Sequence, residues 1–307
     1  MEARKFDVVV VGELNPDLIL SGNVMPEFGQ VEKLVDTALL TIGSSSAIFA
    51  CGAARLGLRV AFIGKVGKDL FGGFMRRALD EYGIDTNGIV EDGHTPTGIS
   101  VIFSDGNDRA ILTYPGTISS LEFSEIDQEI IRMARHMHVG SYYMQAALQP
   151  DLPKLFDIAH GWGTSVFLDP NYDITGNWDG LSMEAISKAD VFLPNLVECK
   201  MISGRNELEQ AVNYFKDKVS YLGVKLGKGG GLLAHDSQIY QSEGIKIDVV
   251  DTVGAGDSFD AGFIYGYLAE WKPERILKMA NICGGLSTRQ AGGTTAQPTL
   301  QEVLEYL

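Results

Sequence analysis

The fold class that the sequence predicts is α/β: a doubly wound, mainly parallel sheet with helices on both faces, plus a small β-sheet lid. Three observations predict it. Short β-branched runs alternate with longer amphipathic stretches, which is the rhythm of βαβ units. The later apolar runs are nearly continuous, as strands covered on both faces must be. Two stretches break that rhythm with β-rich runs and turn residues, as an inserted accessory sheet would. The 307 residues are 45% hydrophobic and 21% charged, a globular composition that excludes disorder, collagen and a small disulfide scaffold.

Taken in order, residues 8–11 (VVVV) read as the first strand and residues 47–56 as a helix. A second strand follows at 60–63 and an amphipathic helix at 70–81. Residues 98–115 carry β-rich runs on either side of Asp105-Gly106-Asn107-Asp108, a composition suited to an antiparallel hairpin. Residues 18–40 show little helical periodicity and are expected to pair with that hairpin as the lid. Core strands then recur at 136–140, 166–168, 191–193 and 221–226. A second hairpin spans 231–240, turning at Asp236-Ser237. The expected division is an α/β core of residues 1–14, 41–94 and 119–307, with residues 15–40 and 95–118 forming the lid.

Twenty-five basic against 40 acidic residues give a net charge of −15. Such a chain repels a nucleic-acid backbone and an anionic membrane surface, so neither is an expected partner. Cys51, Cys199 and Cys283 are odd in number and widely spaced, which suggests neither a disulfide framework nor a thiolate zinc site. No run of eighteen apolar residues occurs, and the expectation is a soluble cytoplasmic protein.

The most informative segment is VVDTVGAGDSFDAGFIYGYLAEW, a strand end feeding Gly254-Ala255-Gly256-Asp257 and then a helix. Phe259, Phe263, Tyr267 and Trp271 recur every four residues, and Gly262 and Gly266 share that interval to permit close packing. A glycine turn before a helix leaves backbone N–H groups pointing outward, where the helix dipole favours an anion. A carboxylate beside such a turn can accept a proton from a hydroxyl while the amides stabilise a phosphoryl group in transfer. An ordinary tight turn with Asp as N-cap would explain an isolated Gly-x-Gly equally well.

The wider pattern decides. Residues 251–262 resemble the C-terminal signature of the ribokinase (PfkB-type) carbohydrate kinases. Further matches run in family order through Gly12-Glu13-Leu14-Asn15-Pro16-Asp17, Gly43 to Arg55-Leu56-Gly57, Gly64-Lys65-Val66-Gly67-Lys68-Asp69, Asp169-Pro170-Asn171, Asn195-Leu196-Val197-Glu198 and Lys225-Leu226-Gly227. The resemblance implies a ribokinase-like core with a β lid, ATP and Mg²⁺ as co-substrates, and phosphoryl transfer to a hydroxymethyl group. It makes Asp257 the general base, with Gly254, Ala255 and Gly256 as the anion hole. Asp17, beside Asn15, corresponds to the carboxylate that holds sugar hydroxyls, and Gly43, Ser44 and Ile48 form the substrate loop. Asn195 and Glu198 match a motif that organises Mg²⁺ largely through water, although a helix capping box explains the same spacing. Asp251, with the carbonyl near Val253, matches a site for a monovalent cation, usually K⁺. Lys225, Gly227, Gly229, Asn281 and Ser287 fall where relatives approach the nucleotide. The family also pairs lid edges, which implies a homodimer.

Two departures matter. Relatives carry Gly-Gly-x-x-x-Asn where this chain has Gly43-Ser44-Ser45-Ser46-Ala47-Ile48, so the second glycine and the asparagine are lost. An isoleucine cannot hydrogen-bond a hydroxyl, which speaks against ribose itself and leaves a nucleoside kinase of the same family as the alternative. A ligand-binding relative without activity is a further alternative, opposed by the intact Asp257 turn. Arg109, on the expected lid, reads either as a solvated strand arginine or as a substrate contact on lid closure. Gly223 to Gly229 falls one residue short of a Walker A loop and lacks its Ser or Thr. No Gly-x-Gly-x-x-Gly follows the first strand, which argues against a dinucleotide oxidoreductase.

Overall fold

The computed structural model describes residues 4–106, 108–178 and 183–307. The first half of the chain runs β1 (Phe6–Val11), β2 (Pro16–Ser21), β3 (Thr37–Ile42), α1 (Ser45–Arg55), β4 (Val60–Gly67), α2 (Leu70–Glu81), β5 (Asp85–Asp92), β6 (Ile99–Ser104), β7 (Arg109–Tyr114), α3 (Gln128–Arg132) and β8 (Ala134–Val139). The second half runs α4 (Leu152–Gly161), β9 (Ser165–Leu168), α5 (Met183–Lys188), β10 (Val191–Phe192), α6 (Leu196–Ser203), α7 (Leu208–Phe215), β11 (Tyr221–Lys225), β12 (Gly231–His235), β13 (Gln238–Ser242), α8 (Ala255–Leu268), α9 (Pro273–Ser287) and α10 (Leu300–Leu304).

Nine strands form the large sheet in the order β13-β12-β11-β10-β9-β8-β1-β4-β5. It is parallel from β11 through β5, and β12 and β13 add an antiparallel edge. Successive residues of β1 face opposite layers, as a pleated strand requires. Val9 and Val11 join the layer holding Phe156 of α4 and Phe215 of α7, while Val8 and Val10 join the layer holding Phe49 of α1 and Phe263 of α8. The order reverses at β1, whose neighbours β4 and β8 begin walks in opposite directions. The crevice at the carboxyl ends of the strands around such a switch point is where ligands of open α/β sheets bind.

The second sheet has the order β3-β2-β6-β7. The expected hairpin is there, with Ile99 opposite Tyr114 and Ser104 opposite Arg109. Residue 107, part of its expected turn, lies outside the described residues. The accessory strand joins it in parallel, Asp17 opposite Ser100, so this sheet is mixed rather than antiparallel throughout. Every residue of β7 is exposed.

Local chemistry sets the helix ends. Asp69 caps α2 by accepting from the Gly72 N–H at 2.9 Å, and Asn195 caps α6, which ends on Gly204 at φ 64°. The helix expected to follow Asp257 starts earlier, at Ala255. It ends at Leu268, so Trp271 lies past it, in the turn leading to α9. Gly262 and Gly266 do press on α9: a side chain at Gly262 would meet Cys283 Sγ at 2.8 Å. His136 and His138 are buried against aromatic rings, and burial pushes both imidazoles down to about 3, so they stay neutral. The three cysteines are buried and free. Among the described residues no helix is long and apolar enough to cross a membrane.

Candidate active site

The glycine turn of residues 254–257 is built where α8 begins. Gly254 is the N-cap at φ 72°, a left-handed conformation that glycine adopts without strain. A side chain there would also strike Gly293 and Ile48 at 2.8 Å. The first helical bond of α8 runs from the Ser258 N–H to the Gly254 carbonyl at 2.9 Å. The N–H groups of Ala255, Gly256 and Asp257 therefore precede the helical ladder, at the positive end of the dipole. Ala255 gives part of its bond to the Thr252 carbonyl at 3.3 Å.

These groups face a cavity of about 670 Å³ at the carboxyl ends of β9, β10 and β11. Asp257, Lys225, Asp169, Asn195 and Glu198 line one part of it. Ile245, Ile247, Val249 and Phe259 make a mostly apolar wall at the other, beside Gly284 and Thr288. A polar end with an anion-binding turn and a flat apolar end suit a nucleotide: phosphates at the first, base at the second.

Electrostatics sort the carboxylates. Burial raises the Asp257 carboxyl to about 7; the Ser45 hydroxyl, which donates to it, pulls the other way, and the charge of Asp169 adds to the rise. A base near 7 is matched to proton transfer near neutral pH. Lys225 lies buried with its Nζ 2.8 Å from Asp169 and 3.1 Å from Asp260. Burial opposes the charge on both Lys225 and Asp169, but the pair overrides it, holding Asp169 low and Lys225 high. Asp260 is pushed well up by burial, against the pull of the same Lys225 ammonium, so the two acids hold their one shared cation unequally. Burial, with Asp169 adding to it, raises Glu198 to about 7.

Asn195 and Glu198 form the full capping box of α6. The Glu198 N–H donates to Asn195 Oδ1 at 3.0 Å, and the Asn195 N–H donates to Glu198 Oε2 at 2.7 Å. Both still line the cavity. Their oxygens are partly committed to the helix, which fits an ion held mostly by phosphate and water better than one with a full protein cage. Among the described residues no group of three or more His, Cys, Asp or Glu is arranged for a metal.

The residues expected to hold the acceptor lie along a single loop. A side chain on Gly43 would run into the Asp17 carboxylate and meet the Asn15 carbonyl at 2.9 Å, so this loop presses directly on both expected sugar contacts. Two residues on, Ser45 holds Asp257. The loop thereby spans from one carboxylate to the other. Burial raises Asp17 to about 6, against hydrogen bonding from Ser100 and the charge of Arg109. Beneath the loop, buried Glu13 accepts from Ser46 Oγ at 2.5 Å and Ser141 Oγ at 2.8 Å, and its carbonyl accepts from Ser44 Oγ at 2.6 Å.

Several expected positions change. Ile48 was expected to face the sugar, but it is 3% exposed and packs under the Gly254 and Gly293 backbone. Ser44 caps α1 by accepting from the Ala47 N–H at 3.0 Å, so its hydroxyl is committed to the scaffold. Ser287 is fully buried and donates to the Gly284 carbonyl within α9, while its neighbour Thr288 reaches the cavity. Asn281 lines the cavity and also holds the end of β13 through the Ser242 carbonyl at 3.0 Å. Gly227 lines the cavity with Lys228 and Gly230, whereas Gly229 does not reach it. The carboxylate of Asp251 accepts from the N–H groups of Val253 at 3.0 Å and Gly292 at 2.9 Å. Arg109 of the lid approaches the same carboxylate at 3.6 Å. That crowding fits a monovalent cation at Asp251 poorly, since a positive charge already stands there.

Sequence reasoning gave no role to Ser45, Asp260 or the stretch from Ile245 to Val249. Ser45 was read only as a loop serine. The alternating apolar pattern of Ile245, Ile247 and Val249 was the available signal for an extended wall.

A family model described as pfkB family carbohydrate kinase matches residues 5–300. The chain is 32% identical over 302 residues to the ATP-dependent ribose-1-phosphate kinase of Halopiger xanaduensis, covering 98% of this chain and 97% of the relative. The structure of Arabidopsis thaliana ribokinase with ribose and ATP superposes with a TM-score of 0.85 at 25% identity, covering 98% of both chains. A candidate ribokinase II from Escherichia coli, in complex with ATP and Mg²⁺, has the same fold, with a TM-score of 0.87 at 23% identity over 98% of both chains.

Proposed function

Because the chain belongs to the pfkB family of carbohydrate kinases, we propose that it transfers the γ-phosphoryl group of ATP to a hydroxymethyl group of a sugar or sugar-like substrate, with Asp257 as general base. The observation that carries this reading is Asp257 itself: a carboxyl raised to about 7, held by Ser45, in the first turn of a helix whose leading residues line a nucleotide-sized cavity.

The acceptor lies between Asp17 and Asp257, which the residue 43–45 loop spans. Its hydroxyl gives its proton to Asp257 as the oxygen attacks the γ-phosphorus, and the bond to the β-phosphate oxygen breaks to release ADP. The N–H groups of Ala255 and Gly256 stabilise the charge on the moving group, and Gly254 makes their exposure sterically possible. Asn195 and Glu198 would hold Mg²⁺ through water, and the ion supplies charge neutralisation on the phosphates when bound. The apolar wall of Ile245, Ile247 and Phe259 takes the base. No step is assigned to K⁺. The β2, β3, β6 and β7 sheet covers the acceptor as a lid, with Arg109 reaching the core at Asp251. Ile111, Leu112 and Tyr114 are half or more exposed on it, an apolar edge that suits pairing of two lids in a homodimer.

The nucleoside alternative rested on Ile48, and the burial of that side chain removes its support. ADP formation from ATP with ribose 1-phosphate, ribose, fructose, 2-dehydro-3-deoxygluconate and adenosine tests the reading. Acceptor-dependent ADP with a sugar supports it, and turnover with adenosine alone replaces it with the nucleoside reading.

A further inference from the structure

A second cavity, of about 810 Å³, lies at the opposite end of the large sheet. It is formed where the strands begin: Arg4 and Asp7 at β1, Arg59 before β4, Arg135 and His136 at β8, Ser165 at β9 and Tyr221 at β11. The last turn of α8 closes it with Tyr267 and Leu268, and Trp271 and Glu270 follow. Its volume falls within the roughly 300–1,000 Å³ of ordinary ligand pockets.

Its polar groups are unequally committed. Arg4 is spent on the scaffold, donating to the Arg132 carbonyl at 3.0 Å and to Thr164 Oγ1 at 2.7 Å, with further bonds to the carbonyls of Ala134 and Trp162. Arg59 grips Asp7 with both prongs at 2.9 Å. Arg135 has only a 3.4 Å bond from Nη2 to the Leu268 carbonyl, stands 3.8 Å from Asp7, and keeps 44% of its side chain exposed. Three guanidinium groups thus outnumber Asp7 and Glu270 in a chain of net charge −15. Their field is visible on His136, whose imidazole is kept neutral by burial first and by Arg135 and Arg4 next. Beside them stands a cluster of rings: Tyr267 meets His136 and Tyr221 edge-on, at 5.3 and 5.2 Å.

We propose that this cavity is a second ligand site, separate from the phosphoryl-transfer centre, for a nucleoside monophosphate. The phosphate engages Arg135 and the outer edge of the Arg59–Asp7 pair, since a planar guanidinium matches phosphate oxygens two at a time. The base lies against the rings of Tyr221, Tyr267 and Trp271. A nucleic-acid strand is opposed by the overall negative charge, and a bare sugar phosphate would leave the ring wall unused. If Arg135 served only to cap the Leu268 carbonyl, its loss would affect stability and not binding.

Equilibrium dialysis with AMP tests this, using the full chain saturated with a nonhydrolysable ATP analogue and carrying Asp17→Ala, so that both halves of the catalytic centre are blocked. One equivalent of AMP should bind, at least about tenfold more tightly than ribose 5-phosphate or inorganic phosphate, the factor expected from base stacking. Arg135→Ala should weaken that binding about tenfold or more while the Asp17-intact enzyme keeps its basal turnover. Arg135→Lys, which preserves the charge and the fold, should weaken it as well by losing the two-pronged contact. No AMP binding up to about 10 mM, binding unchanged by both variants, or equal binding of inorganic phosphate would overturn the proposal.

Discussion

Replacing Lys225 by methionine removes the one cation that the acids at the base of the nucleotide cavity share. The side chain is 11% exposed and its ammonium lies 2.8 Å from Asp169. Methionine fills a similar volume, so the change is mainly electrostatic. Asp169 would be left as a buried anion beside Asp260 and Glu198, both of which burial raises. Breaking a buried pair by removing one partner costs about 3–5 kcal/mol, more than packing gains return. For a chain of this length that is a fall in Tm of roughly 5–10 °C at pH 8. The sign of the pH dependence follows from Asp169. Its folded pKa is depressed, so its pairing stabilises the native protein above the ordinary carboxylate range and the benefit is lost as pH falls below it. In the variant, burial without a cation raises the same carboxyl, and protonation relieves it. The gap between native and Lys225→Met should therefore narrow from pH 8 towards pH 4. Adding Asp169→Asn to Lys225→Met should recover at least about 1–2 kcal/mol, because no buried charge remains. Thermal denaturation by circular dichroism of the three proteins at both pH values measures all of this. A Tm loss below about 2 °C, or a loss that Asp169→Asn deepens instead of relieving, would refute the reasoning.

Other consequences are as direct. Ser45→Ala removes a hydrogen bond that favours the charged form of Asp257, so its pKa should rise further above 7; the acidic limb of kcat/KM should move to higher pH, and an unmoved limb would separate Ser45 from the base. Ser44→Gly with Ile48→Asn buries an amide under the Gly254 turn, a cost that glycine at the 67° φ of residue 44 offsets only in part, so Tm should fall while the preference among sugar acceptors stays constant; a tenfold shift in that preference would return Ile48 to the acceptor pocket. Hydrogen exchange at Val101–Phe103 and Ile111–Thr113 should slow when acceptor and an ATP analogue bind together, and equal rates with and without them would show that the small sheet does not close.

The turn before α8 was legible because its requirements are local. Gly254 must be glycine for its φ of 72°, and Asp257 follows it by three residues, so one short segment carries both requirements. The α2 boundaries, residues 70–81, follow from the amphipathic pattern alone, and the Asp69 cap that the structure adds agrees with them. Strand β5 was not recognised, because DTNGIVED has few β-branched residues and owes its pairing to β4. Ile48 misled because a helix start has both an outward and an inward side, and sequence spacing alone cannot say which faces the sugar. Asp260 and Lys225 are 35 residues apart, and nothing local announces that β11 and α8 bring them within 3.1 Å. The same holds for the second cavity, whose arginines come from three separate strand beginnings.

The central claim is that Asp257 removes the acceptor proton, and the pH dependence of phosphoryl transfer in native protein and Asp257→Asn tests it most directly. With a sugar acceptor identified, native kcat/KM should rise with pH to a plateau through an apparent pKa near 7, because the carboxylate is active only when ionised. Asp257→Asn should lose roughly two to four orders of magnitude in kcat, bind ATP as before and show no limb near 7. A variant that retains near-native turnover, or that keeps the same limb, would contradict the account.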